Sequence, residues 1–144
     1  PDDIAFARDA FRDLLKIRTS SILLRLPSAK DIQQRLRFFN VGPAQNPAVI
    51  AAHIDGKGLH DAHFAAMVLL INVDTHAHTV TDPTLRGQGW RLHPIHLSPE
   101  AADLRPSQSA RFELTTGQFD VPARTALAWV LPNSTDTAMT KTQP

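Results

Sequence analysis

Fourteen acidic and seven histidine side chains are the groups in this 144-residue chain with the most obvious capacity for chemistry. A nucleophile and an acid/base cut a glycosidic bond with retention when two carboxylates stand about 5–5.5 Å apart. The acids of this sequence offer no such pair. Glu100 and Asp103 fall in a Pro-flanked loop, while Glu113 and Asp120 face outward from adjacent strands of a hairpin, as opposite or diagonal neighbours on a solvated face. Among the histidines, Asp74, His76 and His78 alternate and could share one strand face, and His with carboxylate can bind zinc. No fourth ligand has diagnostic spacing, and a metal needs three or four converging groups. His93 and His96 are separated by an offset that points their rings to opposite faces of a strand disturbed by Pro94, and His53, His60 and His63 surround an Asp55-Gly56-Lys57-Gly58 turn. The sequence therefore assigns no catalytic, cofactor-binding or metal-binding residue.

The elements that hold these residues are a helix followed by strands. Ile4, Ala7, Phe11, Leu14 and Leu15 recur at helical spacing, so residues 1–18 read as one amphipathic helix with Asp2 and Asp3 near its positive end. Thr19-Ser20-Ser21 and Pro27-Ser28 break it, leaving residues 19–31 as a linker. From Ile32 the period changes to two. Strands are expected at Ile32–Asn40, Ala48–Ile54, Ala65–Val73, His78–Asp82, Trp90–Ile95, Ala110–Thr115, Gln118–Val121 and Thr125–Leu131. The sixth and seventh form a half-buried hairpin around Thr116-Gly117, with Phe112 and Leu114 alternating against Glu113 and Thr115. Eight short strands with no helix between them predict an antiparallel β-sandwich of Greek-key topology over residues 32–132. The polar stretch 133–144 reads as a disordered tail.

Composition narrows the function further. A net charge of +1 leaves no electrostatic footprint for nucleic acid or an acidic membrane surface, and zero Cys excludes thiolate catalysis, disulfides and Cys-based zinc sites. The longest apolar run, Phe64 to Ile71, is too short to span a bilayer. The chain opens on Pro1 with no initiator Met and no signal peptide, which suggests an excised piece of a longer polypeptide, so that any export signal would lie upstream.

Four segments carry a family resemblance. Phe112–Val130, FELTTGQFDVPARTALAWV, looks like the closing strands of the C-terminal domain of bacterial pullulanase-type α-1,6-glucosidases of the α-amylase superfamily. Phe11–Leu26 resembles the last barrel helix of that superfamily and the stretch after it, close to FRxLLxIRxSSPLFxL. Arg35–Gln45 resembles RVRFHNTGxxQ, and Leu92-His93-Pro94 falls where members often read LHP. Ile22 replaces the usual Pro and Phe39 replaces a polar residue, but the four segments keep their order along nearly the whole chain. The resemblance implies that residues 1–18 are the final helix of a catalytic barrel absent from this chain, and that the sandwich packs on that barrel. It implies a parent enzyme that hydrolyses α-1,6 branch points of an α-glucan, with its carboxylates before residue 1. Members are often secreted or periplasmic, and some hold calcium elsewhere in the chain.

Two sets of apolar residues are then candidates for contact. Phe39 alternates with Arg35 and Arg37, opposite Leu36 and Phe38, so it is expected outside the sandwich core, against a neighbouring domain or a sugar ring. Trp90 either opens a strand in the core or offers a sugar platform, whereas Trp129 alternates with Leu127 and Leu131 and belongs to the core. Direct α-glucan binding through Phe39 and Trp90, as in a carbohydrate-binding module, is the alternative to a packing role. Ile4, Phe11, Leu14 and Leu15 would cover barrel strands, or pair in a homodimer of the isolated fragment.

Overall fold

The computed structural model describes residues 2–134. Helix α1 runs over Asp2–Thr19, with Asp2 and Asp3 in its first turn and Lys16 and Arg18 in its last, each charge complementing the nearby end of the helix dipole. Strands follow at Leu36–Phe38 (β1), Val49–Asp55 (β2), Ala66–Asn72 (β3), His78–Thr81 (β4), Arg91–Leu92 (β5), Arg111–Glu113 (β6), Gln118–Val121 (β7) and Thr125–Leu131 (β8). They form a five-stranded sheet, β1-β2-β3-β8-β5, and a three-stranded sheet, β4-β7-β6. Every pairing is antiparallel. The chain passes from β3 to β4 in the other sheet, crosses back for β5, makes β6 and β7 in the smaller sheet and returns for β8, so that β8 lies between β3 and β5 while β7 lies between β4 and β6. This is the crossed sandwich that the strand pattern predicts.

Between the sheets, Val68, Leu70, Leu127 and Trp129 meet Val80, Phe119 and Val121. Phe119 is the hub: its ring centroid lies 4.7 Å from Phe112, 5.5 Å from Trp129 and 6.3 Å from Trp90. The larger sheet is also covered on its outer side, where Ile54, Met67, Ala128 and Val130 pack with Ile17, Leu23 and the half-buried Ile22, Phe64 and Ile95. Burial on both faces explains why β3 is a continuous apolar run rather than an alternating one.

That outer cover corrects the expected linker. Residues 19–31 are folded: Ile22–Arg25 makes a 3₁₀ turn with Leu23 buried, capped by the buried Ser21 hydroxyl, which accepts from the Leu23 N–H at 3.1 Å. Residues 29–35 form helix α2, Ala29–Arg35, so the first expected strand is cut to β1. Ser28 caps α2 by accepting from the Asp31 N–H at 3.1 Å, a local signal stronger than the period-two pattern after Ile32. Two further short helices lie between strands, Pro94–Leu97 (α3) and Arg105–Ser109 (α4). Pro94 has no N–H for a ladder, so β5 ends at Leu92 and His93 becomes the cap of α3. The hairpin keeps its register, Phe112 opposite Phe119, but β6 ends at Glu113 and Leu114 is exposed. Of the predicted tail, residues 135–144 lie outside the described residues. No helix among the described residues is long and apolar enough to cross a membrane.

Candidate functional site

The acids occupy structural posts. Arg111 pairs with Asp120 and Glu113 with Gln118, which makes Glu113 and Asp120 diagonal neighbours rather than a facing pair. The Thr115 hydroxyl donates to Glu113 at 2.7 Å and holds its carboxyl below the ordinary range, and Gln118 donates to Asp120. Asp103 receives both ends of the Arg105 guanidinium, at 2.8 and 2.7 Å. The Asp74 carboxylate does gather His78 at 2.7 Å and His76 at 3.4 Å, and the His78 hydrogen bond, with the Thr75 N–H, depresses its pKa. Among the described residues no group of three or more His, Cys, Asp or Glu is arranged to hold a metal ion.

The two aromatic candidates are turned inward. Trp90 is buried against His53 and Phe119. The expected parity of β1 is right, but its faces are reversed: Phe38 is exposed on the outer side, while Phe39 packs on the sandwich core, 6.4 Å from Phe119. The reversal follows from the second cover layer, which makes the outer side of β1 apolar as well. Arg37, on the Phe39 side, lies 5.8 Å from that ring and 2.6 Å from the buried Asp82 carboxylate of the facing layer. Burial pushes the Asp82 pKa up, yet the hydrogen bonds from Thr84 and Arg37 win and leave it lowered. Trp90 is thus enclosed in the core, and the half-buried Phe39 ring is taken up between Phe119 and the Arg37 guanidinium.

Helix α1 carries two stripes. One docks on the sandwich: Ile17 is buried in the outer layer, Asp13 accepts from the Ala102 N–H at 2.9 Å, and Phe6 lies under the Arg105 guanidinium at 5.7 Å. The backbone hydrogen bond to Ala102 is the main reason the Asp13 carboxyl titrates low. The other stripe is the one the hydrophobic period marks, and it points away: Ile4 is 76% exposed, Phe11 60%, Leu15 44% and Leu14 39%. A shallow apolar groove beside β1, lined by Leu24, Leu26, Ile32, Phe38, Ile50 and Ile71, is a second uncovered surface. Sequence reasoning missed it because four of these six residues lie in the stretch read as linker or in a strand read with the opposite orientation.

Sequence reasoning also missed the joint beneath α1. His93 and His96 are both buried, 2% and 6% exposed. The Ile95 N–H donates to His93 Nδ1 at 3.2 Å, and His93 Nε2 meets the Ser20 hydroxyl at 2.9 Å, while Ser20 in turn donates to the Ile17 carbonyl. The Ala128 N–H donates to His96 Nε2 at 3.0 Å. Burial, and then the neighbouring His96, lowers the His93 pKa to about 4; burial also lowers that of His96, against the pull of Asp103 and Asp13. The His-x-x-His spacing would have placed both rings together on a helical turn, had Pro94 been read as its first residue.

A helix whose outward stripe is apolar, fused to a sandwich whose Asp103, Glu113, Asp120 and Trp90 are engaged in its own fold, defines an accessory β-sandwich domain. The chain belongs to the family "Alpha-1,6-glucosidases, pullulanase-type, C-terminal", whose sequence pattern matches residues 1–132. It is 35% identical over 127 residues to Pullulanase 1, chloroplastic, of Arabidopsis thaliana; that match takes in 83% of this chain and 13% of the plant protein. The maltotriose complex of PulA from Klebsiella pneumoniae shares the fold at a TM-score of 0.74 and 23% identity, over 86% of this chain and 13% of that one. PulA from Klebsiella oxytoca gives 0.74 at 22%, over 87% and 12%. The chain thus corresponds to a small part of these larger pullulanases.

Proposed function

We propose that this domain stabilises a catalytic barrel of the same polypeptide, one that hydrolyses α-1,6 linkages in an α-glucan, by laying the outer stripe of α1 on barrel strands. The observation that carries the reading is the orientation of that stripe: Ile4, Phe11, Leu14 and Leu15 are exposed although the helix is firmly docked on its other side. Fully burying each such side chain stabilises by roughly 1.5–3 kcal/mol, so the stripe has a strong drive to be covered. Family membership supports the identity of the cover, because the matching pullulanases extend far beyond the matched segment. On this reading the nucleophile, the acid/base and any calcium belong to the rest of the polypeptide. The domain alone releases no reducing ends from pullulan.

The test is a Phe11→Asp substitution in the barrel-carrying enzyme. It is expected to shorten the half-life of pullulan hydrolysis at elevated temperature by more than tenfold, since loss of one buried aromatic costs about 3–5 kcal/mol, while leaving KM unchanged. An unchanged half-life would overturn the reading.

A further inference from the structure

The two buried imidazoles at the foot of α1 do more than fill space. His93 accepts a hydrogen bond from the Ile95 N–H through Nδ1, so its one proton sits on Nε2, facing Ser20. His96 accepts from the Ala128 N–H through Nε2 and carries its proton on Nδ1. A protonated imidazole has two N–H donors and no acceptor. Charging either ring therefore turns a backbone hydrogen bond into two donors pointed at each other, inside a buried site. We propose that His93 and His96 form an acid-released latch: neutral, they clamp the end of α1 to α3 and β8, and charged, they release the helix from the sandwich.

The groups around the pair offset the cost of charging only in part: burial outweighs the pull of Asp13 and Asp103 on His96. Facing His93 are the Ser20 hydroxyl at the end of α1 and the Phe64 ring, 5.7 Å away; among the described residues the ionisable neighbour that acts on it is His96, which repels it. Around His96 stand Asp13 of α1, Asp103 just before α4, Arg105 at its first position, and Arg124 before β8. Both carboxylates favour a charged His96, but their oxygens are already engaged by other donors. Asp13 holds the Ala102 N–H and Lys16, and Asp103 holds Arg105 in a bidentate pair.

The sign and window follow from the depressed imidazole. A closed-joint pKa of about 4, against about 6.5 for a free imidazole, means the opened joint binds more protons throughout that interval. Docking is therefore undiminished at pH 7 and above and weakens as pH falls from about 6.5 towards 4. For His93 alone the equilibrium for opening rises roughly 20-fold between pH 7 and pH 5. Asp13 lies outside this window, because its carboxyl titrates below the ordinary range. The latch stands on contacts within this chain and does not depend on what covers the outer stripe.

Hydrogen exchange on the whole chain tests it, read as protection factors so that the intrinsic pH dependence cancels. The expected result is that amides of residues 13–19 lose about tenfold or more of their protection between pH 7 and pH 5, while those of β3 and β8 keep theirs. The double variant His93→Asn, His96→Gln keeps a neutral acceptor for each backbone N–H, and is expected to abolish the acid response. Unchanged protection of residues 13–19 at pH 5, an equal loss across β3 and β8, or an equal loss in a folded double variant would each overturn the proposal. If the variant does not fold, imidazole titration of the wild-type chain by NMR decides. Either ring charging above pH 6 with α1 still protected would also overturn it.

Discussion

Phe119 touches more of the molecule's purpose than any acid does. It is fully buried on β7, and its ring meets Phe39, Phe112, Trp90 and Trp129, which come from both sheets and the segments flanking them. Aromatic pairs at these separations add to the burial of area, and a cavity at their centre has no side chain free to fill it. Phe119→Ala is expected to lower stability by about 3–5 kcal/mol in urea unfolding, whereas Leu114→Ala, at an exposed turn, should change it by less than about 0.5 kcal/mol. The alternation in the hairpin made Phe119 legible as core. It could not place Phe39, because parity fixes which residues share a side of a strand and says nothing of which side is covered. That decision belongs to Leu23, Ile17 and the other residues of the outer layer, contributed by a segment remote from β1 in the pattern.

Strands with strong local signals were legible almost to the residue, as β7 and β8 show, because their turns are chemically marked. Gly117 is the clearest mark: its φ is +76°, and a Cβ there would stand 2.2 Å from the Asp82 carbonyl oxygen, while the Gly117 carbonyl accepts from the Asp82 N–H. Both the backbone sign and the close approach require glycine. Gly117→Ala should therefore cost about 2 kcal/mol or more, and should disturb the 3₁₀ turn after Asp82, seen as amide shift changes at residues 82–86. The elements that were not legible are the ones whose signals compete. Ser28 and Asp31 favour a helix start while Ile32, Leu36 and Phe38 suggest a strand, and the cap prevails over residues 29–35. Pro94 likewise trades a ladder position for a helical turn. The candidate surfaces inherit this asymmetry: the α1 stripe was legible from its period, the groove beside β1 and the histidine joint were not.

At the scale of the whole molecule the outer stripe of α1 sets the behaviour of the chain in the absence of a barrel. A helix held on one side by Ile17, Asp13, Phe6 and, at its end, the Ser20–His93 contact cannot roll to hide Ile4, Phe11 and Leu15 without giving up the Asp13 bond to Ala102. Internal docking is thus already used, and the same stripe of a second copy offers an apolar surface to cover it. Two stripes related by a two-fold axis would cover each other in an isologous contact. The isolated chain is expected to sediment above its monomer mass of 15.9 kDa at micromolar concentration and to return to that mass with Phe11→Asp. Phe38→Asp, in the groove beside β1, should leave the association intact if the stripe is the contact. A strictly monomeric wild-type chain would mean that the four side chains are tolerated in water. Dissociation by Phe38→Asp with persistence in Phe11→Asp would move the contact from the helix to the groove.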